Sequence, residues 1–485
     1  ATLVRYARDT WHSFDAMVDP ATGLPADNIS GDLSAGSRSG YTSPTNIGGY
    51  LWSTVVARDM HVISRDEAYR RMKQTLTTMA SLDRNDDSGM FYNWYDPHTG
   101  AVVHTWPEDG KPVYPFLSSV DNGWFAASLR VVRGADPRLA TLAGSLYDSM
   151  DFGYFYDPKA VPDQNVGLLR GGFWEQIPDP KPDGWCSQPG NYVDPDGTVL
   201  QYTCNTYDIT VTEPRLATYL GIANGQIPAK AYFATHRTFP DSCDWDWLEQ
   251  KPVGETRTYL GVQVFEGAFT YRGMRIVPSW GGDMFEALMP DLFVPEAQWG
   301  PRSWGVNHPL TVRAQIEHGM DEAGYGYWGF SPASDPKGGY RAWGVDGLGM
   351  DPGGYSSDEE ATNVDNGFAG CRDATNPNPK YGDGVVTPHA SFLALPYAPR
   401  EAMDNLARIR TDLHAYGPGG FYDAVAVKSD TVAKRYLSLD QAMVLGAIGN
   451  LLDRDVVKRD FVDRDFERAI RPLMRMEVFG ARPRR

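Results

Sequence analysis

Long apolar runs are missing from this 485-residue chain. No uncharged stretch approaches the ~18 residues that a membrane helix needs, so a spanning protein is not expected. Positive charge is in short supply as well. Lys and Arg number 45 against 62 Asp and Glu, a net of −17. That balance argues against nucleic acid and anionic membranes as partners, because both demand a cationic surface. The terminal "GARPRR" reads as a solvated tail. Cysteine is scarce, with only Cys186, Cys204, Cys243 and Cys371, and none forms a CxxC. Structural zinc usually takes closely spaced thiolate pairs, so no metal is expected. All four lie in Gly-, Pro- and Asp-rich sequence, where an even number points to disulfides and an exported protein. Four cysteines allow three connectivities; we expect Cys186 with Cys204, closing a local loop, and Cys243 with Cys371. The competing reading is four reduced thiols in a cytosolic protein. The first residues, "ATLVRYARDT", show neither a basic n-region nor an apolar h-region. Either a signal peptide has been removed or none existed. With the cysteines, the expectation is a secreted or periplasmic protein.

Several familiar motifs are absent too: no Walker A sequence, no HExxH, no GxSxG elbow. "GYGYWG" (324–329) matches GxGxxG in letters but runs into "FSPASDP" and not into a helix, so it lacks the dinucleotide context. "DRNDDSG" (83–89) resembles the start of an EF-hand loop. Its Gly is one place late, however, and Trp94 stands where a bidentate Glu is required. No cofactor is expected.

Aromatic residues and glycine are abundant: 14 Trp, 26 Tyr and 20 Phe beside 50 Gly and 35 Pro. Many rings fall in glycine-rich stretches such as "GMFYNWYDPHTG", "GGFWEQIPD", "GYGYWGF" and "GGFYDA". Flat rings on loops suit pyranose faces, although large loops also need hydrophobic anchors.

Helix patterns recur from end to end, starting with an amphipathic one over the first 18 residues that places Leu3, Val4, Tyr6, Ala7, Trp11 and Phe14 on related faces. Two kinds then alternate. One is apolar all round after a small or polar start: "TNIGGYLWSTVVARD", "SSVDNGWFAASLRVV", "TVTEPRLATYLGIA", "GGDMFEALMP", "TPHASFLALPYA" and "LSLDQAMVLGAIGNLL". The other is amphipathic: "SRDEAYRRMKQTLTTMASL", "DPRLATLAGSLYDSM", "PAKAYFATH", "HPLTVRAQIEHGMDEAG", "PREAMDNLARIRTDL" and "RDFVDRDFERAIRPLMRM". Ser64 with Glu67 makes a capping box, and Asp136-Pro137 a cap followed by Pro at the first helical position. Six helices buried all round, each followed by a half-exposed one, imply two concentric rings. The expected fold is therefore mainly α: an (α/α)6 toroid with long aromatic-rich loops and a small β insertion at "TRTYLGVQVFEGAFTYRGMRIV". The alternative is a helical bundle with β insertions. No composition shift marks a linker, so residues 1–485 read as a single domain.

In such a barrel the inner-helix N-termini gather at one mouth and offer free N–H groups and partial positive charge. Four carboxylates sit at those starts: Asp121 in "SSVDNGWF", Glu213 in "TVTEPRLATYL", Glu286 in "GGDMFEALMP" and Asp440 in "LSLDQAM". Apolar surroundings raise a carboxyl's pKa and suit it to general-acid work. Two facing carboxyls are the minimum machinery of glycoside hydrolysis. Taken singly, each is as well explained as a cap or as a partner for a buried Arg such as Arg215 or Arg275.

Nine stretches in order, from "SPTNIGGYLWSTVVARDMHVISRDEA" through "SSVDNGWFAASL", "TVTEPRLATYLGIANGQIP", "SWGGDMFEALMP" and "GDGVVTPHASFLALPYAPREAM" to "YLSLDQAMVLGAIGNLL", resemble the glucoamylase-like (α/α)6 domains of bacterial endo-β-1,2-glucanases and cyclic β-1,2-glucan synthases. The resemblance implies a glycoside hydrolase acting on a glucan, with Glu213 as general acid. For the second carboxylate it points to Asp440 if configuration is inverted and to Glu286 if it is retained. Asp121 matches an acid lining the substrate cleft. The residues expected to bind substrate are Asp121, Asn122, Trp94, Tyr95, Trp124, Trp174, Trp280, Trp328 and Gln441. Trp280 is read as a sugar platform or core packing, and the glycines before Glu286 as points of close approach to a ligand. The chain departs from the pattern at an insertion (346–383) and a Cys-bearing loop (178–204). A transglycosylase on the same fold and a non-catalytic carbohydrate-binding toroid are the alternatives. The expected partner is a carbohydrate substrate, and the expected state a monomer or small homo-oligomer.

Overall fold

The computed structural model describes residues 1–350 and 364–484; part of the 346–383 insertion lies outside them. The chain is largely helical. In order come α1 (Thr2–Met17), α2 (Pro44–Asp59), α3 (Arg65–Ser81), α4 (Ser119–Ala135), α5 (Ala140–Asp148), α6 (Arg215–Ala223) and α7 (Met284–Leu288). Then follow α8 (Glu296–Trp299), α9 (Trp304–Glu317), α10 (Pro388–Leu393), α11 (Pro399–Thr411), α12 (Ser438–Leu452), α13 (Val456–Phe461) and α14 (Arg464–Met476).

Hydrophobic pattern decides which helices go inside. Nearly every side chain of α2, α4 and α12 is buried, whereas α1, α3, α11 and α14 each bury a single stripe. α2 packs on both α4 and α12, α4 on α6, α7 on α10, and α10 on α12. The gap between α6 and α7 is bridged by Arg215, which donates to the carbonyls of Glu286 and Ala287 at 2.6 and 2.7 Å. These six helices thus form a closed circuit. Glycine permits the tight contacts: a Cβ on Gly49 would lie 2.8 Å from the Ala442 Cβ, and one on Gly123 3.0 Å from that of Ala217. Outside the circuit, α1 lies on α12 and α2, α3 on α2, α5 on α4, α9 on α7, α11 on α10, and α14 on α6.

Caps set several inner starts. Ser43 Oγ accepts the Asn46 N–H ahead of Pro44, Ser118 Oγ accepts that of Asp121, and Asp283 accepts that of Glu286. At α3 Ser64 accepts the Glu67 N–H at 3.1 Å, but the Glu67 carboxylate turns to Arg71, so only half of the expected capping box forms. Asp136-Pro137 does not start a helix. Asp136 is bound by Arg138 instead, and α5 begins at Ala140. "PAKAYFATH" supplies only a short 3-10 turn, Ala229–Phe233.

The β content exceeds the expected insertion. Residues 256–276 do form two antiparallel hairpins, Thr256–Tyr259 with Val262–Phe265 and Phe269–Tyr271 with Met274–Ile276. In addition, the long 152–207 connection builds a four-stranded sheet in the order Leu117–Ser118, Gly172–Trp174, Val199–Thr203, Ser187–Val193. A three-stranded sheet lies beside it in sequence: Tyr156–Val161, Val166–Arg170, Thr206–Tyr207. Both expected disulfides form, Cys186–Cys204 and Cys243–Cys371. The first joins the strand ends where Ser187 pairs with Thr203. Among the described residues, no helix is long and apolar enough to cross a membrane.

Candidate active site

A cavity of about 480 Å³ opens where the inner helices begin. One side is aromatic: Trp106 lies 4.3 Å from Tyr41 and 5.3 Å from Trp94, centroid to centroid. Asp27, Asp121 and Glu213 line its interior, with Glu108 at the rim and Tyr340 and Arg435 facing them.

Glu213 stands two residues before α6, between Thr212 and Pro214. Its Oε2 accepts the Trp124 indole N–H at 2.8 Å. Burial pushes its carboxyl up to about 8; the indole bond opposes the shift, while the charges of Glu286 and Asp121 add to it. At neutral pH Glu213 therefore carries a proton beside the cavity. Asp121, in the first turn of α4, accepts the Thr45 hydroxyl at 2.6 Å. It also accepts from the Asn93 amide at 2.8 Å, and Asn93 in turn accepts the Trp94 indole at 3.1 Å. Burial raises Asp121 as well. Burial raises the Tyr207 phenol, and the nearby charges of Glu213, Asp121 and Glu286 add to the shift.

Glu286 does not line the cavity directly. It is held from behind by the Thr212 hydroxyl and the Trp280 N–H, both at 3.2 Å. Its α7 cap, Asp283, is buried and raised well above the usual carboxylate range, first by desolvation and then by the Glu286 charge. The glycines ahead of it serve packing. Gly282 has φ +70° and a Cβ there would fall 2.0 Å from the Val345 carbonyl oxygen.

Asp440, in the first turn of α12, is buried behind the wall where Leu437 and Leu439 face the cavity. Among the described residues, no side chain or N–H outside this group donates to either of its oxygens or to Asp423 Oδ1. The two carboxyls are buried side by side and shift each other's ionisation. Asp423 is raised well above its ordinary value by burial and by the Asp440 charge, while Asp440 is raised by burial only to about 7 because Asp423 donates to it. The Ser334 N–H fixes the other Asp423 oxygen at 2.7 Å. His389, on α10, lies 3.3 Å from Asp440, and burial lowers its imidazole to about 4, so it is neutral. Tyr340 links the two groups of acids. Its phenol is raised by desolvation and then by the charges of Asp440, Asp423, Glu213 and Asp283, although much of the ring is exposed.

The other residues expected to bind substrate divide. Trp94 lines the cavity, and Trp124 works as a donor to Glu213 and not as a platform. Asn122 is fully buried and pins the preceding loop, accepting the Phe91 N–H and donating to the Phe91 carbonyl. Tyr95 is core, its hydroxyl donating to the Asp83 carbonyl. Gln441 donates to Ser13 Oγ and the Gly419 carbonyl, and Trp328 is 2% exposed in the core. Trp280 packs edge-on against Phe239, and Trp174 lies outside the cavity lining, packed against Phe116. Sequence reasoning missed Asp27, Tyr41, Trp106, Tyr340 and Asp423. The first three sit in irregular connections, outside any periodic segment. Asp27 is gripped by Asn28 and Asn46 at 2.9 and 2.8 Å, and the run "ADNIS" gives no hint of it.

One acid–imidazole cluster has metal-like spacing: donor atoms of Asp291, Glu296 and His308 lie within 4.8 Å of one another. Arg215 already occupies it, however, pairing with both Glu296 oxygens at 2.8 and 2.9 Å. Burial alone would raise Glu296, but Arg215 and His308 bring it down to about 2. It is a structural ion pair.

With this geometry in view, comparison with known proteins is informative. The Glycoamylase family model, describing glucoamylases, matches residues 255–463, and a family of unknown function, DUF3131, matches residues 5–154. The cyclic β-(1,2)-glucan synthase NdvB of Rhizobium meliloti (strain 1021) is 23% identical over 558 residues, covering 92% of this chain. The chain spans only 18% of that relative's length. An endo-β-1,2-glucanase from Chitinophaga pinensis, solved with sophorotriose and glucose, superposes with a TM-score of 0.63 at 15% identity over 97% of both chains. A β-1,2-glucanase from Parabacteroides distasonis gives 0.65 at 16% identity, over 97% of this chain and 59% of that one. The resemblance read from the nine sequence stretches is thereby borne out, and the shared fold with it.

Proposed function

We propose that this chain is a glycoside hydrolase that cleaves a glucan, β-1,2-linked by preference, on an (α/α)6 toroid formed by residues 1–485 as one domain. The observation that carries the reading is Glu213: a carboxyl raised to about 8, held by an indole N–H, on the wall of an aromatic-sided cavity. A protonated acid beside a sugar-sized cavity protonates the leaving glycosidic oxygen. Names of the similar proteins agree on the polymer, since the synthase and both glucanases carry β-1,2-glucan in theirs.

For the second carboxylate we propose Asp440. It belongs to α12, three helices around the circuit from α6, and so approaches from the opposite side to Glu213. Its neighbour Asp423 holds its carboxyl lower than burial alone would, as Asp283 does for Glu286, so its place across from Glu213 is what favours Asp440. Asp440 then activates water on the face opposite the acid, the arrangement of an inverting enzyme. Glu286 acts on Glu213 by charge, keeping it protonated, and Asp121 with Asp27 grips sugar hydroxyls. The two disulfides favour an oxidising location, secreted or periplasmic.

Incubation with a panel of glucans and thin-layer chromatography of the products tests the reading. Short oligosaccharides from β-1,2-glucan are expected. Absence of new spots on every glycan leaves a binding toroid, and products longer than the substrate mark a transglycosylase.

A further inference from the structure

A second cleft, also about 480 Å³, lies across the wall from the candidate active site and shares no lining residue with it. The wall is residues 91–116, a run of short antiparallel bridges that pairs Tyr95 with Val102 and Thr105 with Pro112. Trp94 and Trp106 face the first cavity; Tyr92, His104 and Tyr114 face the second. The far side of the second cleft is Glu175 and Gln176, which follow the strand ending at Trp174.

Beside this cleft runs a file of four rings. Phe116 lies 4.8 Å from Trp174, Trp174 4.5 Å from Trp185, and Trp185 5.4 Å from Tyr114. All four are partly exposed, so none is spent wholly on core packing. Trp185 is placed by the Cys186–Cys204 disulfide at the adjacent residue, which ties this loop to the sheet. Glu175 is oriented by two donors, the Asn85 amide and the Tyr92 hydroxyl, and Gln176 and His104 are exposed at the rim. The cleft thus combines the Tyr92 and Tyr114 rings with a fixed carboxylate and exposed polar side chains, and from Tyr114 the file of rings continues beyond its lining. Asp83 and Glu175 give it negative charge within a chain of net −17, so an anionic ligand is disfavoured. Ring faces take the C–H face of a pyranose while carboxylate and amide take its hydroxyls.

We propose that this cleft is an auxiliary carbohydrate site that holds a segment of glucan outside the cavity where cleavage occurs. The choice of glucan as ligand rests on the function proposed above. Because the two clefts are two faces of one wall, a polymer held in the second raises the local concentration of its own chain at the first. Short oligosaccharides gain nothing from it.

The test uses Tyr114→Ala and Trp185→Ala, with Tyr114→Phe and Trp185→Phe as controls that keep the rings. Thermal melts confirm that each variant is folded. Retardation in native gels containing soluble β-1,2-glucan is read in the Glu213→Gln background, and kcat/KM is read with Glu213 intact on polymer and on short oligosaccharides. The expected result is at least a fivefold loss of retardation and a matching rise of KM on polymer in the Ala variants. The Phe variants keep most of the retardation, and kcat/KM on short oligosaccharides stays within twofold. Unchanged retardation, or equal losses on polymer and oligosaccharide, overturns the site. Retardation that depends on these rings in a chain that cleaves no glycan would support the site while removing the hydrolase reading. Cleavage with ring-independent retardation would remove the site alone.

Discussion

Trp124 contacts Glu213 through its indole N–H at 2.8 Å, and that one bond shows how the residue scale sets the chemistry. It opposes the upward shift that burial imposes, so Glu213 settles near 8. Asp440 settles near 7 under the opposing pulls of burial and the Asp423 proton. In the proposed mechanism the active form has Glu213 protonated and Asp440 ionised, so kcat/KM is expected to follow a bell with limbs at about 7 and about 8. Neighbour substitutions move the limbs separately. Glu286→Gln removes a charge that raises Glu213, and the alkaline limb should fall to lower pH. Asp423→Ala removes the donor that lowers Asp440, and the acidic limb should rise. A pH–rate series on the three proteins checks both directions. The acids at the inner-helix starts were legible in the sequence because each stands in the first turn of an apolar segment. Asp423 was not, since its role depends on burial beside a residue 17 positions away in a different element.

At the scale of elements, Arg215 joins α6 to α7. It donates to two α7 carbonyls and pairs with Glu296, and both members of that ion pair are buried. Breaking a buried pair by removing one partner leaves a charge unmatched and costs ~3–5 kcal/mol. Arg215→Ala should therefore lower the unfolding free energy by about that amount, measured by urea denaturation, and should lower activity by loosening the Glu286 backbone. The alternation of apolar and amphipathic segments identified most helices, including α1, α2, α4 and α12. It failed where length ran out: "PAKAYFATH" is too short to hold α-helix against its tertiary contacts and tightens to a 3-10 turn. The sheets of the 152–207 region escaped because their strands are short and mostly half-exposed, with Pro and Asp interrupting the alternation.

For the whole molecule, the buried acids imply a stability cost that depends on pH. Glu213 and Asp440 have folded values of about 8 and about 7 against ordinary values of 4.5 and 3.8. Over that interval the folded chain holds more protons than the unfolded one, so stability falls as pH rises. His236 and His389, lowered to about 4, act in the opposite sense but are spent above 6.5. Between pH 6.5 and 8 the acids therefore govern, each subtracting about 1.4 kcal/mol per pH unit until its folded value is reached. Melting temperature should decline across that window in the parent chain, and decline less in Glu213→Gln, which no longer titrates there. A protein tuned for stability would not bury acids raised this far in and behind the wall of one cavity, and the cost points to function.

The central claim is that Glu213 protonates the leaving group, and leaving-group dependence tests it most directly. Glu213→Gln should reduce cleavage of β-1,2-glucan by ~10²–10⁴. On a sophoroside carrying dinitrophenolate, which departs without a proton, the same variant should keep most of the parent rate. Equal losses on both substrates, or near-normal turnover of the glucan, would contradict the account.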